Sequence, residues 1–229
     1  MAGSSAIPAD RPVRLPAATS RDSPTTKPAL LLTEWWPTAQ AMQEKGIPAV
    51  PMHHDKVCTA HGALAMTSLR DGMYSMLWID MPSRRLEKAR TPQRWEILRT
   101  WIDRALDASS DVYLLGERCK IWDVDSIQRL HTDGILRLTQ HHWCHFGITL
   151  QPDNPKSSAW RITVMSNRQL TPHPCRCEAG VKHVQDWKLH HNGTGKLWSQ
   201  AHLRFVRCLL ASLRLPDVGT PCAPEYKYR

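Results

Sequence analysis

The chain has 229 residues, a length that suits one domain with tails, and 41% of its residues are hydrophobic. Its formal net charge of +9 favours anionic partners, above all nucleic acid. No segment approaches the roughly 18–20 continuous apolar residues of a membrane helix, and the N-terminus lacks the apolar core of a signal peptide. We therefore expect a cytoplasmic or nuclear protein with no membrane contact, in which the seven cysteines stay reduced.

Local composition divides the chain into a domain and two tails. Residues 1–28 are rich in Pro, Ser, Thr, Ala and Arg and show no apolar periodicity, so we expect a disordered N-terminal tail. Residues 29–213 carry the apolar patterns of one α/β domain. Residues 214–229 are expected to form a loose C-terminal tail.

Apolar periodicity predicts strands that alternate with helices inside the domain. Strands are predicted over residues 29–33, 47–52, 73–80, 111–116, 135–139 and 159–165. Helices are predicted over residues 37–45, 93–108, 123–131 and 196–213. The prolines at positions 48 and 51 favour a sheet edge for the second strand, and residues 53–61 are predicted to form a loop. This order predicts an α/β fold with a Rossmann-like three-layer core and a largely parallel sheet, whose last two strands form an antiparallel pair.

A group of potential metal ligands lies late in the domain. Residues 141–191 contain three cysteines and seven histidines, and zinc prefers thiolate and neutral imidazole ligands. We predict a structural zinc site with four ligands: Cys144, Cys175, Cys177 and His183. Three histidines are substitutes for a member of this set: His142, His145 and His173. The alternative is that Cys144 is a small core residue and that the histidines only form hydrogen bonds.

Motifs at three strand ends, and one later segment, follow a familiar order. Residues 31–37 contain a strand that ends in an acidic residue. Residues 78–83 contain a strand that is followed by Pro-Ser, and residues 115–119 contain a strand that is followed by Glu-Arg. Residues 143–183 add Trp-Cys-His-Phe-Gly, Pro-Lys-Ser-Ser, Cys-Arg-Cys and a histidine. This order resembles the DNA cytosine-C5 methyltransferases, and more narrowly their degenerate relatives in mobile-element-derived proteins of protists. The likeness covers roughly residues 29–205.

The resemblance implies functional positions and also shows what they lack. It assigns cofactor contacts to three acidic residues: Glu34, Asp55 and Asp80. It assigns catalytic positions to Ser83 and Glu117. The family's cofactor turn needs glycine, which is absent from residues 31–37, and the family's nucleophilic cysteine is replaced by Ser83. We therefore expect no binding of S-adenosylmethionine and a fold that has outlived its chemistry.

The densest basic patch directly follows the strand that would be catalytic in the family. Its members are Arg84, Arg85, Lys88 and Arg90. Guanidinium and ammonium groups suit phosphate contacts, so we predict that this patch binds nucleic acid. The alternative is an ordinary solvated loop.

Together these features predict a non-catalytic, mobile-element-derived methyltransferase-like module that is braced by zinc and binds nucleic acid. The alternative is an active nucleic-acid enzyme, either an S-adenosylmethionine-dependent methyltransferase or a metal-dependent nuclease. The nuclease alternative depends on His190, His191 and Asn192 followed by His202, an order similar to that of His-Asn-His nucleases.

Overall fold

A computed structural model describes six stretches of the chain: residues 27–33, 36–81, 92–116, 120–147, 161–177 and 195–213. Most of the two predicted tails therefore lies outside the described residues. Within these stretches, strands and helices alternate along the chain and build an α/β fold around one mixed, mostly parallel sheet. No helix in the described part is both long and apolar enough to cross a membrane.

The regular elements begin and end close to the predicted positions. The strands are β1 (Ala29–Leu32), β2 (Ala49–Met52), β3 (Met76–Met81), β4 (Asp111–Gly116), β5 (Arg137–His142) and β6 (Arg161–Ser166). The α-helices are α1 (Trp36–Glu44), α2 (Ala60–Arg70), α3 (Pro92–Asp107), α4 (Asp125–Thr132) and α5 (Gly195–Ser212). Short 3₁₀ helices span His54–Lys56, Lys120–Asp123 and Trp143–Phe146.

The sheet has the strand order β2-β1-β3-β4-β6-β5. Strands β1 to β4 are mutually parallel, whereas β6 runs antiparallel to both of its neighbours. Because β6 separates β4 from β5, β5 again points in the direction of β1 to β4. Five carboxyl ends therefore meet at one edge of the sheet, which we call the carboxyl edge. The predicted edge position of β2 and the predicted antiparallel pairing of β5 with β6 are confirmed.

Two layers of apolar side chains pack against the two faces of the sheet. Alternation along β1 sends Ala29 and Leu31 to one layer and Leu30 and Leu32 to the other, and all four are fully buried. The first layer includes residues of α1 and α5, and the second includes residues of α2, α3 and α4. Helices thus cover both faces, which is the predicted three-layer arrangement.

The helix α2 was not predicted from the sequence. Residues 53–61 are predicted to form a loop, but the structure has a short 3₁₀ helix from His54 and α2 from Ala60. The sequence of α2 has no marked apolar face and contains Gly62, which has low helix propensity. A Cβ on Gly62 would collide with the carbonyl oxygens of Lys56 and Val57, so packing against the preceding turn requires glycine here.

Candidate metal centre

The segment that carries Cys144 is fixed by the end of β5. A 3₁₀ helix, Trp143–Phe146, follows this strand directly and ends at Gly147, whose φ of 65° suits glycine. The side chain of Trp143 is fully buried and stacks against Phe205 of α5, with ring centroids 6.2 Å apart. Cys144 is therefore held just beyond the carboxyl edge of the sheet.

The segment that carries Cys175 pairs with the end of β5. The backbone N–H of His142 donates to the carbonyl of His173 over 2.8 Å, and the N–H of His173 donates to the carbonyl of Gln140 over 3.3 Å. These bonds form an isolated parallel bridge between His141 and His173. The bridge places Cys175 beside the 3₁₀ helix although 31 positions separate it from Cys144.

Three ligand atoms converge at this point. Those of His142, Cys144 and Cys175 all lie within 4.8 Å of one another, and we call these three residues the metal cluster. The two sulfur atoms are 3.6 Å apart, too far for a disulfide, so neither cysteine is oxidised to one. Two thiolates on one tetrahedral zinc lie about 3.8 Å apart, because each Zn–S bond is about 2.3 Å long. The donor set and its spacing therefore fit zinc.

Cys177 lies at the border of the metal cluster. Its backbone N–H donates to the sulfur of Cys175 over 3.3 Å, and its thiol is hydrogen-bonded to Cys144. Without a bound cation, burial raises the pKa of the Cys144 thiol to about 12, and the neighbouring thiols raise it further. The backbone N–H of Arg176 acts on the Cys144 pKa in the opposite sense, because it donates to the sulfur and favours the thiolate.

Three histidines hold the loop of Cys175 but do not belong to the metal cluster. His141 and His173 share a hydrogen bond between their Nδ1 atoms over 2.8 Å, and Nδ1 of His145 donates to the carbonyl of Pro174 over 3.1 Å. Burial lowers the pKa of His141 to about 4 and also lowers the pKa of His173. Both imidazoles are thus neutral near neutral pH, and they stabilise the loop by hydrogen bonds without adding charge.

A second polar cluster occupies the carboxyl edge between β1 and β3. The chain leaves β1 towards β2 on one side and returns to β3 on the other, so the sheet has its topological switch point here. Oδ2 of Asp80, near the end of β3, accepts hydrogen bonds from the Thr38 hydroxyl over 2.9 Å and from Nε2 of His202 over 2.6 Å. Nε2 of His54 donates to the Asp80 carbonyl over 2.9 Å. All four residues are buried, and we call them the Asp80 cluster.

The structure brings together some of the predicted site residues. Cys144 and Cys175 lie together with His142, which the sequence offers only as a substitute, while Cys177 borders this group. Eight predicted positions lie outside the described residues: Glu34, Ser83, Arg84, Arg85, Lys88, Arg90, Glu117 and His183. Of the predicted cofactor contacts, Asp55 is exposed beside His53, whereas Asp80 is buried. Their roles toward a cofactor stay predictions.

Sequence reasoning missed the partners of Asp80. Thr38, His54 and His202 come from three different elements, and no local pattern relates them to the end of β3. For His142 a signal did exist, since His142 and Cys144 have the same one-residue spacing as Cys175 and Cys177. Comparison with known proteins adds nothing to this geometry: no protein-family model, curated protein or solved structure matches the chain.

Proposed function

We propose that the chain is a non-catalytic, methyltransferase-like module that is braced by zinc and binds nucleic acid. The observation that carries the proposal is the convergence of His142, Cys144 and Cys175 at the carboxyl edge. Zinc in such a set would be a structural ion that joins β5 to the loop after β6. It would add a cross-link between two segments that, in the described part of the chain, are joined by hydrogen bonds and by ring contacts of His173.

The surroundings of the metal cluster support a structural site. Structural zinc sites are closed by four protein ligands, and Cys177 is the nearest described candidate for the fourth position. The predicted ligand His183 is the alternative for that position. Backbone N–H groups of Arg176 and Cys177 already point at cysteine sulfurs, an arrangement that stabilises thiolates in a bound site.

The Asp80 cluster supports the absence of methyl transfer. In open α/β sheets the cofactor crevice lies at the carboxyl edge beside the switch point. Here that position holds Asp80, whose Oδ2 is already engaged by Thr38 and His202. The sequence also lacks glycine over residues 31–37 and has Ser83 in place of the family's nucleophilic cysteine. The engaged Asp80 and the missing glycine oppose cofactor binding. Ser83 opposes the attack on the base.

Two properties support the remaining parts of the proposal. The mostly parallel sheet with helices on both faces is compatible with descent from a methyltransferase-like domain. The net charge of +9 favours a polyanionic partner, and nucleic acid is the partner that the resemblance implies.

Metal analysis of the full chain tests the zinc brace. After expression with zinc and removal of loose metal, elemental analysis is expected to find one zinc per chain. Cys144→Ser and Cys175→Ser are expected to lose it, whereas Cys58→Ser, which alters an exposed free thiol elsewhere, keeps it. A zinc-free wild type, or equal zinc in Cys144→Ser and Cys58→Ser, would contradict the brace.

Calorimetry with S-adenosylmethionine tests the loss of catalysis separately. The zinc-loaded protein is expected to release no heat of binding at micromolar concentrations of this cofactor. Saturable binding would show that the crevice at the switch point is open, and the expected loss of cofactor binding would then be wrong.

A further inference from the structure

Two exposed arginines flank the metal cluster from two different segments. Arg161 opens β6 and stands directly opposite His142 in the register of β5 with β6. Residues paired across antiparallel strands have their side chains on the same face of the sheet. The side chain of Arg161 therefore leaves β6 on the face of the sheet that carries the His142 side chain, and Arg161 is exposed.

Arg176 lies in the loop between two of the clustered cysteines. Its backbone N–H is used by the sulfur of Cys144, while the residue as a whole is exposed. Because Cys175 belongs to the metal cluster and the N–H of Cys177 donates to its sulfur, the exposed side chain of Arg176 starts from the loop that forms the cluster. The backbone of Arg176 thus serves the metal cluster and leaves its side chain for another partner.

Neither arginine forms a salt bridge with a described carboxylate. Other arginines of the described part do form such pairs: Arg70 with Asp71, Arg99 with Asp103, Arg104 with Asp107, Arg168 with Asp111 and Arg207 with Glu44. A zinc ion held by two thiolates and an imidazole has no net charge, and a third thiolate would make it only singly negative. Among the described residues, no carboxylate therefore neutralises these two guanidiniums beside the cluster.

We propose that Arg161 and Arg176 form a phosphate-binding surface on the zinc-braced loop, and that its partner is the backbone of a nucleic acid. Guanidinium groups bind phosphate oxygens in a bidentate fork, and two of them on separate segments suit a polyanion with repeated charges. Zinc would hold both segments in place and so reduce the ordering entropy lost on binding. This inference rests on the proposed function, because it names the surface by which the module binds nucleic acid.

Fluorescence anisotropy with a labelled single-stranded oligonucleotide at low salt tests this surface. The zinc-loaded wild type is compared with Arg161→Gln/Arg176→Gln and with Arg70→Gln/Arg104→Gln, which removes the same charge from α2 and α3. We expect the first variant to bind about tenfold more weakly and its salt slope to fall by about 1.4, since each lost phosphate contact accounts for about 0.7. The control variant should bind nearly as well as the wild type, and Arg161→Lys/Arg176→Lys should retain most of the binding.

The outcomes separate this inference from the proposed function. Both arginines are exposed, so circular dichroism and zinc content of the glutamine variant are expected to match the wild type. Equal weakening of the two glutamine variants would mean that only total charge matters and would overturn the surface. A wild type that binds no oligonucleotide would overturn nucleic-acid binding altogether, while the zinc content would still decide the brace.

Discussion

Nε2 of His202 lies 2.6 Å from Oδ2 of Asp80, and both side chains are only 2% exposed. The pair joins α5, the last described helix, to the end of β3 near the centre of the sheet. Thr38 of α1 donates to the same oxygen, so one carboxylate connects both helices that cover this face of the sheet. Such a buried arrangement is sensitive to the loss of a single partner, because the remaining polar groups cannot reach water.

Replacing Asp80 by alanine is expected to destabilise the fold strongly. The change leaves His202 and Thr38 without their shared acceptor, and the free energy of unfolding should fall by about 3 kcal/mol or more. Urea denaturation of the full chain measures this loss. Asp107→Ala is the control, because Asp107 pairs with Arg104 at the surface over 3.7 Å and its removal should change the stability by less than about 1 kcal/mol. Similar losses in both variants would show that the Asp80 cluster is not a stabilising centre.

Thr38→Val is expected to reduce stability through one hydrogen bond. Valine keeps the size of the fully buried threonine and removes the hydroxyl that donates to Asp80, which should cost about 1.5 kcal/mol. In the Asp80→Ala background the same change should cost much less, because the acceptor is already gone. Thr67→Val on the exposed face of α2 is the matched control. A double-mutant cycle with no coupling between Thr38 and Asp80 would rule out the bond.

The fold could be predicted from the sequence because its signals are local. Buried strands such as residues 111–116 and the amphipathic helix of residues 93–108 have patterns that need no knowledge of the rest of the chain. The helix α2 could not be predicted, since its glycine at position 62 is selected by a contact with the preceding turn and opposes its own secondary structure.

The metal cluster was only partly predictable for a related reason. Residue type identifies Cys144 and Cys175, because zinc prefers thiolate ligands, whereas Cys177, which the sequence also predicts, only borders the cluster. The choice of His142 depends on the bridge between β5 and His173, which is a tertiary contact. Likewise, the pairing of Asp80 with His202 spans 122 positions and leaves no local pattern.

Gly62→Ala tests the explanation given for α2. Alanine favours a helix over glycine by about 1 kcal/mol, so propensity alone predicts a more stable protein. We expect the opposite, because the added Cβ would collide with backbone oxygens that cannot move without unfolding the preceding turn. Ala63→Gly, at the next and exposed position, should cost only the propensity difference of about 1 kcal/mol. Thermal denaturation compares the variants, and a raised melting temperature for Gly62→Ala would contradict the packing.

Acid is expected to destabilise the protein through His141. Its pKa is about 4 in the folded chain and about 6.5 when unfolded, so between these values the unfolded chain binds more protons. Stability is therefore fully present above about pH 6.5 and is lost as the pH falls towards about 4, by on the order of 3 kcal/mol. Urea denaturation with a chelator present measures this change apart from metal release. His141→Gln should reduce this pH dependence, to which His173 also contributes because burial lowers its pKa, and an unchanged profile would exclude His141 as a source.

The reactivity of Cys144 towards iodoacetamide is expected to report on the metal cluster. In chelator-treated protein the Cys144 pKa of about 12 leaves almost no thiolate near pH 8. An ordinary thiol, with a pKa of about 8.5, is partly ionised at the same pH. Cys144 should therefore be alkylated at least about tenfold more slowly than Cys58, which is exposed. Added zinc should displace the proton, bind the thiolate and protect Cys144 and Cys175 together, while the rate at Cys58 stays the same. Peptide mass spectrometry over a time course separates these sites.

Two outcomes would contradict this prediction. Protection of Cys58 to the same extent would mean that zinc acts by general binding. Fast alkylation of Cys144 without zinc would mean that its sulfur is not held in the buried arrangement of the metal cluster.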